Sequence, residues 1–370
     1  MSPEGAPLAA DSDRPVLHIP TPLLYSASMS KQAGCNIWLK LENMQPTQSF
    51  KIRGIGSICI TAALERSAKR FVAFGDTNAS LAVAYSGRRL GIPVTVFVPS
   101  ATQASAVRAK IELEGAELRE DGRTMKDAYK AACAFAQHAA GAVMIEGGDD
   151  AAAIAGNSTI VPEINVQLQR RAPAAIIAPV GSGGLLSGLI TGLNRCRWLQ
   201  VPVIAVETHN TNSFQQALLS EPAHSSDSET AADAGSDRPT GQCKAQLGAD
   251  LEHGHHPPPT PLAPSLKDEG DTDNEVRPGL SANPLVRSES ENVMLCFSRV
   301  RLSSEAKTSE PTVATCLLSE FVCPSALELA QSHPVVPISV SEAMAVEACR
   351  RLLDDHQFLI EIGSAAALSI

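Results

Sequence analysis

Aromatic residues make up only 4% of this 370-residue sequence, against 44% hydrophobic residues in all. The apolar content is therefore carried mainly by Ala, Val, Leu and Ile. Such small and branched side chains let helices sit close to a sheet, which points to a layered α/β core. No apolar run reaches the length of a membrane span, so no membrane partner is expected. The first 20 residues have neither an apolar h-region nor an arginine-rich character, and no signal or transit peptide is expected. The nine cysteines are scattered and contain no CxxC pair, which predicts reduced thiols and a cytoplasmic location rather than a disulfide frame. A basic stripe is also missing: the net charge is −10, which argues against a nucleic-acid partner.

That charge is unevenly placed. Residues 221–310 hold sixteen Asp/Glu and eight Lys/Arg, a balance of −8, and leave only −2 for the rest of the chain. The same segment holds nine prolines and one aromatic, Phe297. It has too little apolar surface to offset its ordering entropy and is expected to be a disordered insertion. His253-Gly254-His255-His256 lies inside it, but no carboxylate or cysteine completes a metal set at ligand spacing, so a solvated loop is the expectation there.

Outside the insertion, strands alternate with helices. A short helix over 26–34 ends at Gly34, and a strand spans 35–41. From 54 to 148 the pattern predicts helix 55–69, strand 70–74, helix 79–90 and strand 94–98. Helix 103–114, stopped by Gly115, strand 116–118, helix 124–139 and strand 142–145 complete that stretch. Helix 158–170, strand 174–180, a helix opened by a glycine run, and strand 201–207 follow. After the insertion come a strand over 312–317, helices 325–331 and 341–353, and a strand over 357–361. Such alternation means right-handed βαβ crossovers and parallel sheets.

Two stretches carry chemistry. Ser49-Phe50-Lys51-Ile52-Arg53-Gly54 places a lysine between an apolar strand and a helix start. The helix dipole and desolvation disfavour its ammonium form there, leaving the neutral amine that makes Schiff bases. On the hexapeptide alone, a solvated helix-start lysine fits equally well. The second stretch, Gly181-Ser182-Gly183-Gly184-Leu185-Leu186-Ser187-Gly188, follows a buried strand and opens a helix. Its backbone N–H groups are placed to cradle a phosphate. It is neither a Walker A loop nor GxGxxG, and a close-packed βα turn is the plainer reading. A Schiff-base lysine with a lone phosphate cradle and no nucleotide motif points to pyridoxal phosphate. Asn78, at the strand-to-helix turn of Asp76-Thr77-Asn78-Ala79-Ser80, is placed to bond a cofactor hydroxyl; taken alone, a helix N-cap is the better account of it.

Together these residues resemble the fold-type-II pyridoxal-phosphate family, and most closely its liver-type L-serine dehydratase/L-threonine deaminase branch. The resemblance rests on Glu42-Asn43-Met44-Gln45-Pro46 with the Lys51 hexapeptide, and on residues 82–99 with Gly91-Ile92-Pro93 inside them. It extends to residues 180–188, Pro202-Val203-Ile204-Ala205-Val206-Glu207-Thr208 and 325–367, and covers most of 20–220 and 312–370. It implies a tryptophan-synthase-β-like α/β fold of two domains with open, twisted, mainly parallel sheets. Residues 1–52 and 151–370 would form the cofactor domain and 53–150 a smaller substrate-side domain. Lys51 would carry the cofactor, Phe50 would pack against its ring, and Asn78 would meet its ring hydroxyl. Gly181, Ser182, Gly183 and Gly184 would hold the phosphate, and Ser364 would stand beside the pyridine nitrogen. Glu207 and Ser213, with backbone at Gly181, Thr211, Leu317 and Ser319, would hold a monovalent cation such as K+. The implied reaction is β-elimination on a small amino acid, with Lys51 removing the Cα proton: L-serine to pyruvate and ammonia, L-threonine to 2-oxobutyrate. The implied assembly is a homodimer.

The sequence also departs from the family. The substrate-carboxylate loop S-S-G/A-G-N-A-G is here Phe74-Gly75-Asp76-Thr77-Asn78-Ala79-Ser80, so that Gly75, Asp76, Thr77, Asn78 and Ala79 would face the substrate. A serine hydroxyl is missing at Gly75 and a carboxylate stands at Asp76. If Asp76 faced the substrate carboxylate at about 4 Å, repulsion at an effective dielectric of about 20 would be roughly 4 kcal/mol, about a thousandfold in binding. If it turned away to cap a helix, only the hydroxyl would be lost. Gln48 replaces a glycine of the lysine motif. The sequence stops at Ile370, short of the family's last helix and strand, so a divergent or truncated member with an exposed sheet edge is expected. A weakly active or inactive homologue that keeps the fold, and a racemase or β-replacement enzyme, stand as the alternatives.

Overall fold

In the computed structural model, residues 14–100, 106–220, 292–296, 312–319 and 322–370 are described. Strand β1 (Leu23–Tyr25) runs antiparallel to β2 (Asn36–Lys40), with α1 (Ala27–Ala33) between them. Ser26 caps α1 and Gly34 closes it at φ 71°, the left-handed position that the glycine stop predicts. A 3₁₀ turn (Glu42–Met44) then leads to α2 (Lys51–Glu65). Next come β3 (Arg70–Phe74), α3 (Asn78–Leu90), β4 (Val94–Val98), α4 (Ala106–Leu113), β5 (Glu117–Glu120), α5 (Met125–His138) and β6 (Ala142–Met144). These four strands form a wholly parallel sheet in the order β5-β4-β3-β6.

The chain continues through α6 (Ala151–Ser158), α7 (Ile160–Gln167), β7 (Ala175–Pro179), α8 (Gly184–Arg195), β8 (Val203–Thr208) and α9 (Ser213–Ser220). Beyond these lie β9 (Asn292–Cys296), α10 (Pro324–Ser332), β10 (Val335–Val340), α11 (Glu342–His356) and α12 (Ile362–Ala366). The second sheet has the order β1-β2-β9-β7-β8-β10 and is parallel except for β1. Ile176 and Ile177, neighbours on β7, enter separate cores, one with Leu186 and Leu189 and one with Ala345 and Ala365. A strand covered on both faces reads as a continuous apolar run for this reason. No described helix is long and apolar enough to cross a membrane.

Six expectations need correction. The helix placed at 55–69 begins at Lys51, so Gly54 and Gly56 lie inside it. The helix placed at 158–170 runs over Ile160–Gln167, and a helix that was not expected, Ala151–Ser158, precedes it, capped by Asp150 through the N–H groups of Ala152 and Ala153. Residues 312–317 form no strand but a 3₁₀ turn at Thr315–Leu317. The strand placed at 357–361 is a single bridge residue, Ile360. The sheet instead takes Val335–Val340, for which no strand was expected; β10 is an edge strand, where the N–H missing at Pro337 is tolerated. Finally, the presumed disordered insertion of 221–310 contains β9, which sits between β2 and β7. The insertion's apolar content is concentrated at that point. Its remaining residues, including His253-Gly254-His255-His256, lie outside the described residues.

Candidate active site

Lys51 is the first residue of α2, and what holds that helix start is a buried charge cluster. Arg53 is fully buried and bonds the Glu42 carboxylate twice, from Nε and from an Nη, both at 2.7 Å. Its Nη atoms also reach both oxygens of Glu163, at 2.6 and 2.9 Å, and Thr159 Oγ1 at 2.9 Å. Lys40, at the end of β2 and likewise buried, donates to Glu163 at 2.6 Å and to the Thr21 carbonyl at 2.8 Å. The cluster balances two cations with two carboxylates. Burial, and then the Arg53 charge, pushes His18 down to about 4, so this neighbour is neutral near pH 7 and leaves the balance intact. Glu42 and Arg53 come from the two halves of the lysine motif, and their pairing is the physical reason the halves occur together. The sequence reading missed this role: both residues stood in the quoted motif, but eleven positions apart with no periodicity to link them.

Lys51 itself is partly buried. Desolvation pushes its amine below the usual lysine range, against the opposite pull of Cys323, Cys316 and Glu361. The Phe50 ring packs on the core beside β7 and β8, with its centroid 5.1 Å from Lys51 Nζ. The Gly181–Gly184 run lies past the C-terminal end of β7. Gly183, at φ 97°, is the N-cap of α8, and that helix start has no side-chain cap and no acidic residue in its first turn. Cys323 lies against this loop: its N–H donates to the Ser182 carbonyl at 2.8 Å, and burial raises the pKa of its thiol.

Across from the lysine, Thr77 and not Asn78 caps α3, by accepting from Ser80 N–H. This frees the Asn78 amide, whose Nδ2 donates to Glu361 Oε1 at 2.8 Å. Glu361 is the buried N-cap residue of α12. Ser364 is buried within α12, and Glu361, which lies inside the 325–367 match but was given no role there, makes the hydrogen bond to Asn78. Ala79 packs on the core under α3. Gly75 takes φ 76°, and Gln48 takes φ 61°. The glycine that Gln48 replaces therefore answers to a real left-handed position, at a cost of about 1 kcal/mol for a side chain. Asp76 neither caps α3 nor stands alone: its Oδ2 is 3.9 Å from Nε of the buried Arg108, which is anchored by the Pro99 carbonyl at 2.6 Å and Glu120 at 3.0 Å.

At the end of β8, Glu207 is buried and accepts from Phe214 N–H at 2.9 Å and Gln215 N–H at 2.8 Å. Desolvation pushes its pKa up to about 7 against those two bonds. The Ser213 hydroxyl is buried with no hydrogen-bond partner among the described residues. The Leu317 carbonyl lies 3.2 Å from where a Cβ on Gly181 would stand. Thr211 Oγ1 is turned to Thr208, whose N–H donates to it at 3.2 Å, and Ser319 is partly buried. Lys51 and Gly181 thus follow, and Glu207 stands at, the carboxyl ends of parallel strands, where open α/β sheets bind ligands.

A family described as "Pyridoxal-phosphate dependent enzyme" matches residues 16–249. The chain belongs to that family. The L-serine dehydratase/L-threonine deaminase of Homo sapiens is 41% identical over 201 residues, covering 54% of this chain and 60% of that protein. A serine dehydratase-like protein of Rattus norvegicus is 41% identical over 202 residues, covering 55% and 60%. The chain thus spans about three fifths of the length of these curated relatives. Among solved structures, a fungal L-serine ammonia-lyase from Rhizomucor miehei superposes with a TM-score of 0.68 at 32% identity, over 95% of this chain and 86% of that one.

The residues present fit the family's cofactor. An uncapped helix start behind a glycine at φ 97° suits a phosphate, and a desolvated amine suits an aldehyde. Asn43 Oδ1, Thr47 Oγ1 and Ser49 Oγ, all on the segment leading to Lys51, are buried without a partner among the described residues. Orphaned polar atoms beside a reactive amine are what a polar ligand would satisfy.

Proposed function

We propose that this chain is a pyridoxal-phosphate-dependent lyase that converts L-serine to pyruvate and ammonia and L-threonine to 2-oxobutyrate. The observation that carries the reading is a partly buried lysine at the head of α2 together with an uncapped glycine loop at the head of α8, both following carboxyl ends of parallel strands of one sheet. Lys51 would hold the cofactor and later take the Cα proton, for which its lowered pKa suits it. When bound, pyridoxal phosphate supplies an electron-accepting ring that stabilises charge at Cα. The backbone N–H groups of Gly181–Gly184 would hold its phosphate, and Phe50 would cover one side of its ring. The Asn78 amide would meet the ring hydroxyl, and residues 75–79 would receive the substrate carboxylate. Residues 53–150 would serve as the substrate-side domain. A homodimer follows from the resemblance, and a cytoplasmic location from the free cysteines.

The test is the visible spectrum of the purified chain with pyridoxal phosphate, before and after L-serine, with pyruvate and D-serine assayed in the same sample. A cofactor band with pyruvate is expected. D-serine without pyruvate would favour racemisation, and a band with neither product would sink catalysis on serine.

The proposal includes a potassium ion near Glu207, Ser213 and the Gly181, Thr211, Leu317 and Ser319 backbone. What supports it is a buried carboxylate beside an unpartnered buried hydroxyl. At pH 8, replacing choline chloride by potassium chloride at equal ionic strength is expected to raise the thermal midpoint, and a Glu207→Gln variant to lose that response. Equal midpoints in the two salts would remove the ion from the proposal.

The altered substrate loop gives a further expectation. Arg108, whose Nε is 3.9 Å from Asp76 Oδ2, would offset the Asp76 charge towards a substrate carboxylate. Arg108→Met should raise the KM for serine by on the order of tenfold, about 1.4 kcal/mol, with kcat little changed. Adding Asp76→Asn should return KM towards the starting value. If the double variant stays as impaired as Arg108→Met, the effect belongs to the lost Pro99 and Glu120 anchors instead.

A further inference from the structure

We propose that Glu361 is a positioning residue for Asn78, fixing which way its amide faces before the cofactor arrives. The inference rests on the reading of Asn78 as the partner of the cofactor's ring hydroxyl. An asparagine side chain offers a carbonyl and an NH₂ of nearly the same shape, and in an open cleft it turns over freely. An ionised carboxylate accepts hydrogen bonds and donates none. By taking Nδ2 at 2.8 Å, Glu361 commits the nitrogen end of Asn78 to its own side. One N–H is then spent on Glu361, and the second is held in a defined direction for the ring hydroxyl oxygen.

Three features of the fold make the arrangement firm. Glu361 is 3% exposed, so it does not exchange this bond for water. As the N-cap residue of α12 its backbone is fixed by the first turn: its carbonyl accepts from Ala365 N–H at 2.9 Å, and its side chain makes no cap bond that would compete. Asn78 in turn is relieved of capping α3, because Thr77 does it. Glu361 belongs to the segment after the six-stranded sheet, and Asn78 to the helix after β3 of the four-stranded sheet. The bond therefore joins the two sheets' ligand-facing ends at the lysine, whose charge Glu361 also influences.

The test is a pyridoxal-phosphate titration of the full chain, followed by the visible cofactor band, in wild type, Glu361→Gln, Asn78→Ala and the double variant. Glutamine keeps the size of Glu361, but its amide donates as well as accepts, so the direction of Asn78 is no longer set. Glu361→Gln should weaken cofactor binding about tenfold, the scale of a hydrogen bond to a charged group, and shift the band. In the Asn78→Ala background the same change should have almost no effect. A Glu361→Gln chain with wild-type affinity and band would overturn the proposal. So would an equal loss in the Asn78→Ala background, since Glu361 would then act without Asn78. If Glu361→Gln does not fold, judged by circular dichroism, Glu361→Asp retains the charge at shorter reach and is expected to give a smaller loss of the same kind; unchanged binding there would count against the proposal. A wild-type chain that shows no band at all would overturn the cofactor reading, and this inference with it.

Discussion

Lys51→Ala is expected to lower serine turnover by at least about a thousandfold, roughly 4 kcal/mol in the barrier. The loss is large because one amine has two tasks, holding the cofactor and taking the Cα proton. Its position suits both: the head of α2, an uncapped helix start, and enough desolvation to push the amine below the usual lysine range. Lys51→Arg should not rescue, since a guanidinium stays charged and does not supply a neutral amine. Neither substitution should unfold the chain, because the buried cluster that holds α2 does not include Lys51. Borohydride treatment of wild type with pyridoxal phosphate should label the peptide containing residue 51, and the Ala variant should stay unlabelled there. Turnover by Lys51→Ala within tenfold of wild type, or label on another lysine, would place the chemistry elsewhere.

Arg53→Met should have the largest effect on stability, a loss of about 3–5 kcal/mol, read from the midpoint of chemical denaturation. Methionine fills similar space, but Glu42 and Glu163 would lose the guanidinium that bonds them both, and Lys40 alone would face two carboxylates. A second substitution separates charge from packing. Arg53→Met with Glu163→Gln leaves one cation and one carboxylate and should recover part of the loss. No recovery would mean that packing or hydrogen bonds, and not charge balance, hold the helix start.

The same cluster predicts a pH effect. Burial by itself would raise the Glu163 carboxyl, but bonds and charge from Arg53, and then Lys40, outweigh it and hold the group below the usual carboxylate range. A carboxyl depressed in the folded state adds stability above its unfolded value, and that stability is lost as pH falls through the folded value. In Arg53→Met the depression shrinks, so acid unfolding should begin at a higher pH than in wild type. Identical acid transitions would show that Glu163 draws little from Arg53.

Much of the fold was legible because its signals are local. The alternation of strands and helices, the stops at Gly34, Gly91 and Gly115, and the apolar run of β7 each follow from neighbours in sequence. β9 and β10 were not legible for a physical reason. Five residues inside a polar, Pro-rich segment carry little periodicity, and what makes Asn292–Cys296 a strand is the gap between β2 and β7. Val335–Val340 contains a proline that only an edge position excuses. The helix Ala151–Ser158 was missed, although the Asp150 cap that opens it is local.

The site divides along the same line. The sequence by itself determined the chemical types and their strand-end placement: an amine before a helix, a glycine loop after a buried strand, an acid at the end of β8. These depend on spacing within single βα units. Only the tertiary structure decided which groups act on which. It paired Arg53 with Glu42 and Glu163, turned Asp76 towards Arg108, and set Glu361 against Asn78 across 283 positions of chain. Charges and hydrogen bonds depend on distance in space and solvent exclusion, and neither quantity is encoded in the order of residues along one strand or helix.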